Sequence, residues 1–119
     1  MLKRAERIGR DMFAEISKGG MKIATPLFFV KFRKAFPNQS KTRYSVVISK
    51  KVEKLAVDRN QSRRRVYAVL GEFDSPVVFN AILFFRTSIS KISSADLRME
   101  IKKIIGIVSG RIEKGPFLP

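Results

Sequence analysis

Cysteine and histidine are both absent from this 119-residue chain, and acidic residues are scarce. Without cysteine there are no disulfides, thiolate zinc sites or thiol nucleophiles, a composition that a reducing compartment permits. Without histidine, Ser-His-Asp and Cys-His catalysis, the usual neutral-pH general base and the commonest metal ligand all disappear. Long apolar runs are missing too. The longest, Val77 to Phe85, is interrupted by Asn80 and falls far short of the roughly 20 residues that a membrane-spanning helix needs. The opening MLKRAERIGRDMFAEISKGG is charged throughout and holds no signal-peptide core, so a cytoplasmic protein is expected. No repeat and no long linker divides the sequence. A single domain over 1–119 is expected, with an ordered core over about 9–110 and ends that fray or are tethered by Phe117 and Leu118.

What is present is apolar volume and positive charge. Hydrophobic residues make up 45% of the chain and include ten phenylalanines, enough for one core without staples. Lys and Arg number 25 against 10 Asp and Glu, a formal charge of +15. So large an excess opposes compaction through self-repulsion and points to a polyanionic partner, nucleic acid ahead of an anionic membrane surface. The charged helix does not combine a basic face with a broad aromatic one, so no membrane partner is expected.

Periodicity supplies the elements. Ile8, Met12 and Ile16 recur at four-residue spacing before Gly19-Gly20, a first helix with a glycine stop. Met21 to Ala24 reads as a short strand. In LFFVKFRK, from Leu27 to Lys34, Phe28, Val30 and Phe32 share one face, while Phe29, Lys31 and Arg33 share the other. RYSVVISK, from Arg43 to Lys50, alternates likewise, and the turn PNQSK between them predicts that the two strands pair antiparallel. A helical period then runs from Leu55 to about Phe73, with a stripe of Val66, Val69, Leu70 and Phe73. VVFNAILFFR is apolar on both faces and suits a central strand. Ser93 and Asp96 have capping-box spacing before a stripe of Leu97, Ile101, Ile104, Ile105 and Val108 that ends at Gly110. The order helix, strands, helix, strand, helix predicts an α+β fold, a two-layer sandwich of three helices on a small mixed sheet.

The chemistry concentrates in KKVEKLAVDRNQSRRR. Lys50, Lys51, Lys54, Arg59, Arg63, Arg64 and Arg65 stand against Glu53 and Asp58, which leaves a local charge of +5. On a helix, Arg59 and Arg63 are one turn apart on one face, and Asn60 and Arg64 one turn apart on the adjoining one. Guanidinium forks bind phosphate and stack on bases, and an amide both donates and accepts at a base edge or a 2′-hydroxyl, which suits RNA. A merely solvated helix face has the same composition, and spacing alone does not separate the two readings.

SKKVEKLAVDRNQSRR after a strand resembles the signature of the protein subunit of bacterial ribonuclease P, whose pattern is Ser-Lys-Lys, a short connection, then Ala-x-x-Arg-Asn-Arg-x-Lys-Arg. RDMFAEISKGG is similar to that family's first helix, LFFVKF to its next strand and SPVVFNAILFFRTS to its buried strand, so roughly Arg10 to Val108 is covered in order. Ser49, Lys50, Lys51, Ala56, Arg59 and Asn60 fit, and Arg63 and Arg64 stand where the family has Lys and Arg. Gln61 replaces the second Arg of the triplet, Tyr67-Ala68 replaces the usual Arg-Glu, and Ser17 falls where a second aromatic is common. The resemblance implies a left-handed strand-helix-strand crossover, against the usual hand. It also implies an accessory subunit, a monomer within a ribonucleoprotein. Its partners would be ribonuclease P RNA and precursor tRNA, with no DNA, and the RNA with its Mg²⁺ would remove the 5′ leader.

The basic segment and the resemblance together give an RNA-binding set of Lys50, Lys51, Lys54, Arg59, Asn60, Gln61, Arg63, Arg64 and Arg65, with Arg65 able to compensate for Gln61. The resemblance also gives a 5′-leader cleft drawn from Phe13, Phe28, Phe29, Lys31 and Phe32. Alternation allows only one face of that strand to line such a cleft, and periodicity does not say which. No catalytic residue, cofactor motif or metal site is assigned to the protein. Glu72 and Asp74 read as a helix-end feature rather than a metal pair. Two other function classes stay open: a structural RNA-binding protein such as a ribosomal component, and a self-contained nuclease using Asp11, Glu15, Asp58, Glu72, Asp74 or Asp96 around a metal.

Overall fold

The computed structural model describes residues 7–113; Phe117 and Leu118 lie outside them. Its elements are α1 (Arg10–Gly19), β1 (Met21–Ala24), β2 (Phe28–Lys34), β3 (Arg43–Val47), α2 (Ala56–Leu70), β4 (Phe79–Phe85) and α3 (Ser94–Glu113). The four strands form one mixed sheet in the order β1-β2-β4-β3.

The expected pairing of β2 with β3 is corrected: β4 lies between them, antiparallel to β2 from Phe28↔Phe85 to Lys34↔Phe79 and parallel to β3 from Arg43↔Asn80 to Val47↔Phe84. The physical reason is burial. Every residue of β4 except Phe84 is buried, and a strand that is apolar on both faces belongs at the centre, with the alternating strands beside it. The turn after β2 feeds this arrangement. Asn38 takes a left-handed φ of 68°, and Gln39 exchanges two amide hydrogen bonds with the fully buried Asn80, at 2.7 and 3.0 Å. The one uncharged polar side chain inside β4 is thereby satisfied.

Phe28, Val30 and Phe32 point into the main core with Tyr44, Val46, Phe79, Leu83 and Phe85. Val66, Val69 and Leu70 of α2 and Leu97, Ile101, Ile104, Ile105 and Val108 of α3 cover them. Helix α1 packs on the opposite face of β2 and β4, where Ile16 and Ile82 are fully buried, so a partial third layer joins the sandwich. Thr25 and the Leu27 backbone N–H both donate to the Glu100 carboxylate at 2.7 Å, pinning the β1–β2 turn to α3.

Helix boundaries follow capping and burial. Ser93 Oγ accepts the Asp96 N–H at 3.1 Å, one arm of the expected capping box. Gly110 does not end α3, which continues to Glu113 because another turn lays Ile112 against the core. Helix α2 stops at Leu70, and Phe73 packs from the following turn. Ile8 precedes α1, and its N–H donates to Tyr44 O at 2.8 Å, so the chain bridges the outer edge of β3 before α1 begins.

Gly20 closes α1 and donates its N–H to Ile16 O at 3.0 Å. A Cβ there would lie 2.7 Å from Phe32 O and 2.8 Å from Ile16 O, both backbone atoms. Gly20→Ala is therefore expected to cost about 1–3 kcal/mol through overpacking, measured by urea unfolding. Gly19→Ala, with open space around its Cβ, should leave the midpoint nearly unchanged.

Candidate nucleic-acid interface

Helix α2 buries Ser62, Val66, Val69 and Leu70 and turns Asn60, Gln61 and Arg64 to solvent. Arg59, Arg63 and Tyr67, one turn apart, run along one flank, and Asp58 and Arg65 along the other. Lys50, Lys51 and Lys54 are exposed on the connection from β3, a stretch folded by Val52 and Glu53 N–H bonds to Ser49 O. Exposed cations with an amide among them thus lie along α2 and the stretch that leads into it.

Two of its arginines have backbone partners. Arg59 reaches back to donate to Glu53 O and Lys54 O at 3.0 and 2.8 Å, fastening the approach to the helix while it stays on the flank. Arg65 donates to Ile89 O and Ile92 O, both at 2.7 Å. The expectation that Arg65 joins the open cationic face, or stands in for Gln61, is corrected. The fully buried Ile89 fixes the loop after β4 against α2, and Arg65 spends its charge on that loop's carbonyls. Glu53 supports the same clasp by accepting from Ser88 at 2.7 Å. Gln61 lies beside it, lining a small hollow with Asp58, Ser62, Arg65 and Ser90.

Sequence reasoning missed Arg7. Its guanidinium sits 4.5 Å from the centre of the Tyr67 ring, and the two residues line a concavity with Asn60, Arg63 and Arg64. Arg63 donates to Asn60 Oδ1 at 3.0 Å. No spacing within α2 announces a cation delivered from before α1; the bridge of Arg7 to Tyr44 on β3 brings it there.

The second candidate surface is the sheet face under α1. Phe28 and Phe32 are fully buried in the main core, so their expected place in a leader cleft is corrected: only the opposite parity is available. There Phe13, Phe29 and Phe84 are partly exposed, with ring centres 6.4 Å apart for Phe13–Phe84 and 6.1 Å for Phe29–Phe84. Lys31 Nζ stands 5.8 Å above the Phe84 ring and donates to Ser17 O at 3.4 Å. Arg33 lies 4.0 Å over Phe36 and 3.5 Å from Glu15. Unpaired bases stack on such partly exposed rings with little sequence preference. Phe84 is the added member, hidden in the sequence by its fully apolar strand.

The carboxylates are dispersed. Glu72, just past the end of α2, meets Arg98 of α3 at 2.7 Å. The Arg98 hydrogen bond holds the Glu72 carboxyl below its ordinary range. That contribution is complete above the ordinary glutamate value and is lost as pH falls through the lowered one. Among the described residues, no three acidic side chains gather in a group that could hold a metal. No helix among them is long and apolar enough to cross a membrane.

Residues 2–109 match the family model described as Ribonuclease P. A ribonuclease P protein component from Synechococcus elongatus is 38% identical over 63 residues, 51% of this chain and 52% of that protein. The chain thus spans about half the length of the curated relatives it matches. A solved structure of the Staphylococcus aureus RNase P protein superposes with a TM-score of 0.74 at 20% identity, covering 88% of this chain and 96% of that one. The RNase P protein from Thermotoga maritima gives 0.73 at 23% identity, covering 84% and 94%. At those identities the likeness speaks to the fold.

The division of labour along α2 has measurable consequences. Arg65→Ala is expected to lower stability by about 2 kcal/mol through its lost carbonyl bonds, whereas Arg64→Ala should change it by less than about 0.5 kcal/mol and weaken RNA binding. If Arg7, Lys50, Lys51, Lys54, Arg63 and Arg64 each neutralise one phosphate, log affinity against log salt should fall with a slope of about −4 on single strands and about −5 on duplex. Titrations at several salt concentrations check this, and a slope near zero removes the electrostatic basis of the surface.

Proposed function

We propose, because this chain belongs to the ribonuclease P protein family, that it is the accessory subunit of a ribozyme that removes the 5′ leader of precursor tRNA. The observation that carries the reading is the cationic side of α2 with its preceding lysines, set on a fold shared with two ribonuclease P proteins. In this reading that surface binds the catalytic RNA, and the partly exposed rings of Phe13, Phe29 and Phe84 with Lys31 take the single-stranded leader. The cell's cytoplasm is the compartment in which such a particle works.

The subunit acts by charge and position. Folding a catalytic RNA compactly sets phosphate against phosphate, and the six lysines and arginines on the α2 side replace part of the cation atmosphere that would otherwise screen it. The requirement for bulk Mg²⁺ then falls. Rings under α1 hold unpaired bases without reading their identity, which suits leaders of varied sequence. Bond cleavage is assigned to the RNA and its bound Mg²⁺. In keeping with this, Glu15, Glu53, Glu72 and Glu100 are each engaged with a different part of the fold.

The decisive experiment is leader cleavage of a precursor tRNA by a bacterial ribonuclease P RNA, at Mg²⁺ too low for the RNA alone. Added protein should stimulate cleavage, and the Arg63→Ala, Arg64→Ala double variant should need about tenfold more protein for the same effect. No stimulation with RNA binding intact would favour the other reading that size and charge support, a structural RNA-binding protein. Cleavage by the protein without RNA would instead support a self-contained nuclease.

A further inference from the structure

Tyr67 lies outside the chemistry used so far, and Arg7 has entered it only as a charge. Tyr67 occupies a position where the family pattern carries a charged residue, and nothing in the RNA-binding set called for an aromatic there. Its hydroxyl accepts the Val46 N–H at 3.1 Å, so the ring is anchored to the outer edge of β3 rather than free to swing. Arg7 is exposed and rests its guanidinium on that ring. Its backbone is held by the bridge to Tyr44, and its neighbour Ile8 bonds Tyr44 O. A planar cation is therefore supported on one side by a fixed aromatic face, with its other side open.

The surrounding concavity encloses about 280 Å³, at the low end of small-ligand sites and suited to one nucleotide rather than a larger molecule. Arg7, Arg63, Arg64 and Asn60 line it with donors, and no carboxylate is among the lining residues. Asn60 Oδ1 accepts from Arg63, so the Asn60 amide adds N–H donors, and no further negative charge, to this lining. Such a wall favours an anion with a planar, acceptor-bearing group.

We propose that this concavity is a single-nucleotide site, in which an unpaired RNA base stacks on the open face of the Arg7 guanidinium over Tyr67 while Arg63 and Arg64 hold its phosphate. The inference deepens the RNA-binding reading of α2 and rests on it. It adds recognition of an extruded or single-stranded base to a surface otherwise suited to backbone phosphate alone. Stacking is sequence-tolerant, so the site selects for an unpaired nucleotide and not for its identity.

The test compares two RNA probes of equal charge, a pentamer of adenosine and the corresponding pentamer of abasic ribose phosphate. Wild-type protein should bind the adenosine strand about fivefold or more tightly than the abasic one. Arg7→Lys, which keeps the charge and removes the plane, should bring the adenosine strand down to the abasic level and leave the abasic affinity unchanged. Tyr67→Leu should behave as Arg7→Lys does, and Tyr67→Phe, which keeps the ring but loses the bond to Val46 N–H, should still prefer the adenosine strand. The chain has no tryptophan and two tyrosines, of which Tyr44 is buried. A Tyr44→Phe background therefore isolates Tyr67 emission, which the adenosine strand should alter and the abasic strand should not.

Equal wild-type affinity for the two strands, or an Arg7→Lys variant that still prefers adenosine, overturns the stacking site while leaving phosphate binding by α2 intact. Equal losses on both strands in Tyr67→Leu, with Arg7→Lys unaffected, show a purely architectural tyrosine and overturn it as well. If wild-type protein binds neither strand with a salt-dependent affinity but stimulates ribozyme cleavage, the stacking site falls and the accessory-subunit reading stands. If both assays fail, the RNA-binding reading falls and carries the site with it.

Discussion

Strand β4 is hydrogen-bonded on both sides, antiparallel to β2 and parallel to β3. Take it away and the β1–β2 hairpin on one side and β3 with α2 on the other share no sheet. Its alternation serves two layers: Phe79, Ala81, Leu83 and Phe85 enter the main core, while Ile82 and Phe84 face α1. Both surfaces with chemical character depend on this strand. The α2 side is held by the loop that leaves β4, through Arg65 and Ile89, and the aromatic side contains Phe84 itself. Packing of one central strand thus fixes where charge and rings are displayed.

The sequence was most readable where one element carried its own signal. The α2 stripe, the parity of β2 and the Ser93 cap all follow from local spacing, and the structure keeps them. Pairing partners were not readable, because alternation tells which face of a strand is buried and says nothing about its neighbour. The turn residues between β2 and β3 suggested a hairpin, yet a more apolar strand from beyond α2 occupies the place between them. Which face of β2 enters the core was equally closed to inspection, since β2 carries phenylalanine on both faces. Only the position of α2 and α3 over Phe28 and Phe32 assigns those two rings to the core.

Charge was legible in amount and not in allocation. A run of seven cations looks uniform in sequence, but Arg65 and Arg59 are turned to carbonyls that no local pattern predicts, at Ile89, Ile92, Glu53 and Lys54. Guanidinium groups suit both tasks, because the same planar donors that grip phosphate can gather carbonyls from a loop. Arg7 shows the converse. It is isolated in sequence from the α2 cluster, and the β3 edge carries it there.

The cover along the outer edge of β3 has a bearing on the protein before it meets any partner. An open edge offers unpaired N–H and C=O groups on which another chain can grow a strand. Here Ile8 satisfies Tyr44 O and the Tyr67 hydroxyl takes the Val46 N–H, so two side-on bonds stand where an intruding strand would begin. Mutual repulsion between copies of a +15 chain works at longer range. Short-range blocking and long-range repulsion both disfavour strand addition at this edge. The chain itself supplies this cover, so it is in place before any partner binds.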